Sequence, residues 1–100
     1  MKFKFQGQEL VLDFPKYPTW GNQAIVANLP DGEPWAVLSV NLEFIPQGCV
    51  AIPDYKLPRG IVEALQEAKI IGNLVREIPS GYVLILVYDF RGEKDEKNCF

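Results

Sequence analysis

The chain has no histidine. That removes the side chain best suited to general-base work near neutral pH, every Ser-His or Cys-His nucleophile pair, and most zinc sites other than all-thiolate ones. Cysteine is nearly absent too: Cys49 and Cys99 stand alone, and no Cys-x-x-Cys pair exists. Two thiols so placed make neither a disulfide framework nor a four-thiolate metal site, and their sparsity fits a reducing, cytoplasmic setting. Neither a phosphate-loop nor a dinucleotide glycine pattern occurs, since Gly21, Gly32, Gly48 and Gly60 are isolated. Long hydrophobic runs are missing as well. The longest, Val83 to Tyr88, is far too short to cross a bilayer, and Met1 to Gln6 alternates charge with aromatics instead of forming a signal peptide. Charge of one sign is also lacking. Ten basic against thirteen acidic residues leave −3, a mild excess that keeps a protein soluble but points to no strongly charged partner.

What is there is apolar surface. The chain is 100 residues long and 48% hydrophobic, which suits one core built without metals or disulfides. Residues 1–90 read as a single domain, and the charged run from Arg91 to Phe100 reads as a mobile tail.

The alternation Lys2–Phe5, broken at Gly7 and resumed from Gln8 to Phe14, predicts a hairpin with Leu10, Leu12 and Phe14 on its buried face. Pro15 to Gly21 carries two prolines and a glycine and predicts a loop. Asn22–Leu29 and Trp35–Phe44 then predict a strand pair. Between them, Leu-Pro-Asp-Gly-Glu-Pro has turn chemistry at each odd residue. Pro30 and Asp31 suit the centre of a type I turn, and Gly32 suits the following position of positive φ. Gln47–Ile52 predicts a short strand. From Pro58 the period changes: Ile61, Ala64, Leu65 and Ala68 recur at helical spacing, for a helix of about twelve residues stopped at Gly72. Asn73–Ile78 and Tyr82–Phe90 predict a final hairpin. Strands, one helix, then strands define an α+β fold with an antiparallel, strongly curled sheet.

The last strand is apolar on both faces. Tyr82, Leu84, Leu86, Tyr88 and Phe90 lie on one, and Val83, Ile85 and Val87 on the other. Such a strand should be central and covered twice, yet one short helix covers only one face. Self-coverage by curling is the expectation for the second face, with a residual aromatic patch that pairs with a partner or a second copy. Trp20, Trp35, Val37, Tyr82 and Tyr88 are the candidate interface residues, with Val26 beside them.

Catalytic candidates are few. Asp31 and Glu33 around Gly32 invite a calcium reading, but hard-metal loops need several more oxygen ligands at fixed spacing. Asp54, Glu63 and Glu67 near the helix start are placed as the helix dipole favours. Cys49, with no histidine to activate it, reads as a small buried hydrophobe. The basic residues Lys2, Lys4, Lys16, Arg59, Arg76 and Arg91 are scattered and outnumbered, which argues against nucleic acid. Neither a cofactor nor a metal is expected.

The segment Gly21-Asn22, Ala24-Ile25, Asp31-Gly32-Glu33-Pro34-Trp35-Ala36 and Ser39-Val40-Asn41-Leu42 resembles a family of small bacterial proteins of unknown function found mainly on mobile elements. A looser likeness continues through Pro58, Ser80-Gly81 and Tyr88-Asp89-Phe90. The resemblance implies an α+β fold, supplies no catalytic residues, and favours an anti-defence role, as in anti-CRISPR or anti-restriction inhibitors of phage or mobile-element origin. The expectation is therefore a non-catalytic protein-binding accessory protein. The alternative is a structural homo-oligomeric domain.

Overall fold

The computed structural model describes residues 1–92. Seven strands and one helix follow in the order β1 (Lys2–Phe5), β2 (Gln8–Asp13), β3 (Val26–Asn28), β4 (Pro34–Val37), β5 (Cys49–Ile52), α1 (Ile61–Glu67), β6 (Ile71–Ser80) and β7 (Val83–Phe90), with a 3₁₀ turn at Asp54–Lys56. The fold is α+β and its sheets are antiparallel, as expected. There are two of them, however: a four-stranded sheet ordered β1-β2-β3-β4 and a three-stranded sheet ordered β5-β7-β6. Neither is closed or strongly curled, so the expectation of one curled sheet is corrected.

The first sheet is two hairpins laid side by side. Gln6 and Gly7 both take positive φ (50° and 80°) between Phe5 and Gln8, the geometry a two-residue hairpin loop needs to match the strand twist. The Leu29–Gly32 turn forms as its residues require. The Gly32 amide donates to the Leu29 carbonyl at 2.9 Å, Gly32 sits at φ 95°, and the Leu29 amide donates to Glu33 at 2.7 Å. The Asp31 carboxylate also accepts the Glu33 amide at 3.0 Å, holding the loop from its outer side.

The predicted strand 35–44 is cut short. β4 ends at Val37, Leu38 still donates to the Ile25 carbonyl, and Val40 donates instead to Ala51 of β5. Residues 38–40 thus pass from one sheet to the other. Ser39 stands at the crossing, where its hydroxyl accepts the Ile25 amide at 2.9 Å in place of a backbone carbonyl. A serine hydroxyl that competes for a ladder amide is a physical reason for a strand to stop.

Helix α1 is also shorter than its periodicity suggests. Gly60 takes φ 89° at the N-cap, which leaves Pro58 outside the helix. At the other end Lys69, not Gly72, takes the left-handed position (φ 62°). The Lys69 amide donates to Gln66 and the Ile70 amide to Leu65, each at 3.0 Å, the paired bonds of a Schellman stop. Gly72 lies within β6, where a Cβ would stand 2.5 Å from the Arg91 Nε.

One core joins both sheets and the helix. Phe3, Phe5, Leu10 and Leu12 of the first sheet meet Val50, Ile52, Tyr88 and Phe90 of the second and Ile61, Val62 and Leu65 of α1. Phe14 meets Phe90 edge to face at 5.3 Å. β7 is central, and its alternate residues Ile85 and Val87 do face a second cluster with Cys49 and Ala51. The crossover supplies the cover: Val40, Leu42 and Ile45 pack there. Curling does not do so.

Candidate functional site

The candidate interface residues part company in the structure. Tyr88 is buried in the main core, and Trp35 is half-buried against that core, with its ring edge-on to Phe5 at 6.4 Å. Burial pushes the Tyr88 phenol above its ordinary value, and the carboxylates of Asp54, Glu63 and Glu77 add to the effect. Neither ring is a free surface. Trp20, Val37 and Tyr82 are exposed. Trp20 lies by the Phe90 end of β7, whereas Tyr82 precedes Val83 at the other end. Eight residues of strand, at about 3.3 Å each, separate those ends, so the predicted residues form no single patch.

Two surface features emerge in their place. The first is the arm made by β6 and β7. The chain covers one edge of the second sheet itself, through the bond from Val40 to Ala51 on β5. The opposite edge is β6, ten residues long and exposed from Asn73 to Glu77 on both faces. Among the described residues no strand pairs with its outer side. Leu74, Val75 and Leu84 are each about half exposed, and Tyr82 at the hairpin tip is fully so. A strand whose alternate N–H and C=O groups point outward, flanked by apolar side chains, is the template on which an extended segment adds. The sequence places both strands, but it does not reveal which edge stays open, because that depends on the distant crossover.

The second feature is a cleft of about 410 Å³ between the loop 15–23 and the loop 45–49, lined also by Phe90. The first loop is pinched by backbone bonds from Tyr17 to Asn22 and from Ala24 to Pro15. Its tip needs two successive positive φ values, at Trp20 (65°) and Gly21 (66°). Gln23 on the wall is 4% exposed, and its Nε2 donates to the Pro15 and Ala24 carbonyls at 3.1 and 2.9 Å. Lys16, Asn22, Gln47 and Cys49 complete the polar lining. No carboxylate lines it among the described residues. Sequence reasoning singled out Trp20 and Cys49 but missed Lys16 and Gln23 as neighbours, since loop closure alone brings them together.

Among the described residues, no group of three or more His, Cys, Asp or Glu side chains is placed to hold a metal ion. Among them, too, no helix is long and apolar enough to cross a membrane. Comparison with protein-family models, with curated proteins and with solved structures finds no match.

Proposed function

We propose that the chain is a non-catalytic protein-binding protein whose β6–β7 arm receives an extended segment of a partner protein. The observation that carries this reading is the asymmetry of the second sheet: among the described residues the crossover bonds to β5, and no strand pairs with the outer side of β6. The added strand runs along β6, with Leu74 and Val75 on its two flanks and Tyr82 beyond its end.

A second copy fits this edge less well than a different partner. Register shifts between Ile71, Leu74 and Arg76, together with Pro79, are devices that blunt unselective strand pairing, and self-pairing would place them against each other. The resemblance of Gly21–Leu42 to mobile-element proteins supports a host defence component as the partner, in an anti-defence role. The described cleft residues favour binding over chemistry, because none of them is a carboxylate or histidine that would act as a general base.

The test compares the unaltered chain with Val75→Lys, Leu84→Glu and Val37→Lys, the last lying outside the arm. Capture from host lysate should yield one recurrent protein at stoichiometric amounts. Both arm variants should lose it while melting normally, and Val37→Lys should keep it. A partner kept by both arm variants, or light scattering that shows only a dimer of this chain, would reject the reading.

A further inference from the structure

We propose that the cleft between the loops 15–23 and 45–49 binds a nucleoside monophosphate. This goes beyond the protein-binding reading and stands apart from it, because the cleft lies at the end of β7 remote from the arm tip.

The inference starts from Gln23. Both of its amide hydrogens are committed to backbone carbonyls, which also fixes which end of the amide is nitrogen. Its Oε1 then has no hydrogen-bond partner among the described residues, although the side chain is 96% buried, as its 4% exposure implies. No fully enclosed side-chain polar atom among the described residues lacks a partner, so Oε1 retains some exposure, and Gln23 is one of the residues that line the cleft. A rigid acceptor held in a largely buried side chain favours a ligand that brings an N–H or O–H donor over one that lacks it.

Trp20 supplies the second element. Its ring is 57% exposed and belongs to neither hydrophobic cluster, yet its backbone is held at φ 65°. A bulky residue at positive φ is strained, and here the strain is not repaid by packing. A flat ring at the rim of a cleft is a stacking platform, and every nucleobase has a face to lay on it.

Lys16 supplies the third. Among the described residues it makes no ion pair and is the only charged side chain in the lining. One cation with no carboxylate among the described lining residues suits a single phosphate, and a chain of net charge −3 does not suit a polyanion. A planar ring, an N–H donor and one phosphate together define a nucleoside monophosphate, and the cleft volume falls in the range of small-molecule sites.

The experiment is calorimetric titration of the full chain with the four ribonucleoside 5′-monophosphates, adenosine, ribose 5-phosphate, free tryptophan and a short single-stranded oligonucleotide. At least one monophosphate should bind saturably, about tenfold or more tighter than ribose 5-phosphate, which lacks the ring. Trp20→Gly should weaken that binding roughly tenfold while the melting temperature holds or rises, since glycine relieves the backbone. Lys16→Ala should remove the preference for the monophosphate over the nucleoside. The proposal fails if no monophosphate saturates the site, or if ribose 5-phosphate, tryptophan or the oligonucleotide binds as tightly. It also fails if Trp20→Gly binds like the unaltered chain.

Discussion

The Asn22 side chain holds two separate pieces of chain together, donating from one nitrogen to Asn41 Oδ1 at 2.9 Å and to the Leu42 carbonyl at 2.7 Å. Asn41 returns the contact by donating to the Thr19 carbonyl at 3.2 Å. Two residues earlier, the Ser39 hydroxyl meets the Tyr17 hydroxyl at 2.9 Å. The crossover that covers the second face of β7 is therefore pinned to the loop that carries Trp20. These side chains replace the strand ladder that stops at Val37.

Removing that pin should be costly for so small a change. Asn22→Ala leaves the Leu42 carbonyl and Asn41 without their donor, and a stability loss of about 1–3 kcal/mol is expected. Asn22→Ala and Asn41→Ala should also be non-additive by about 0.5–3 kcal/mol, because each removes the same contact. Urea melts of the two single variants and the double variant measure this. Strict additivity would mean that the crossover holds without the pair.

The Leu29–Gly32 turn gives a second expectation. No atom lies within 4 Å of the place a Cβ would occupy at Gly32, so Gly32→Ala meets no clash and reports the cost of φ 95° alone. About 1 kcal/mol or more of destabilisation follows. Glu33→Gln should leave the melting temperature unchanged, since the Glu33 backbone, not its side chain, makes the turn contacts. A Glu33→Gln variant that melts normally but loses partner capture would place function in this hairpin.

The hairpin and the double-faced β7 were legible because each rests on local chemistry. Pro30, Asp31 and Gly32 each suit one backbone position, and the period of two from Tyr82 to Phe90 survives any tertiary context. The crossover was not legible. Ala36, Leu38, Val40 and Leu42 keep an unbroken alternation, and the same pattern serves a strand that changes partner midway as well as one that does not. The helix ends misled for a related reason, since Gly60 and Lys69 set them with left-handed conformations while Pro58 and Gly72 have the chemistry of a start and a stop. Of the candidate site, Trp20 and Tyr82 could be named as exposed aromatics, but Gln23 and Lys16 join Trp20 only because Tyr17 and Asn22 close their loop. The tail expected to be mobile lies, from residue 93 onward, outside the described residues.

Tyr88 predicts an alkaline limb in stability. Its phenol is raised by burial first and by the Asp54, Glu63 and Glu77 carboxylates second. The unfolded chain then releases the proton near pH 10, before the folded chain does. This contribution to stability is whole below about pH 10 and is lost as pH rises through the higher folded value. Tyr88→Phe cannot ionise there, so its denaturation midpoint should fall less steeply than that of the unaltered chain between about pH 9.5 and 11. Parallel curves for the two proteins would show that the phenol does not drive the loss.

Lys69 offers a substitution expected to stabilise. It holds the position after the α1 C-cap at φ 62°, where the bonds from Lys69 to Gln66 and from Ile70 to Leu65 close the helix. A left-handed non-glycine residue costs roughly 1–2 kcal/mol, and glycine's looser unfolded chain returns about 0.5–1 of that. Lys69→Gly should therefore gain about 0.5–1 kcal/mol and raise the melting temperature by about 2–8 °C in a domain of this size. The side chain is exposed and makes no ion pair among the described residues, so little is lost with it. Gly72, the helix stop that the spacing suggested, should behave in the opposite way. Gly72→Ala drives a Cβ against the Arg91 guanidinium and disturbs its 2.9 Å bond to Asp89, a loss expected to stay small because the arginine end can swing aside. Thermal melts of both variants decide the matter: if Lys69→Gly melts below the unaltered chain, the helix does not end at Lys69 in the way described.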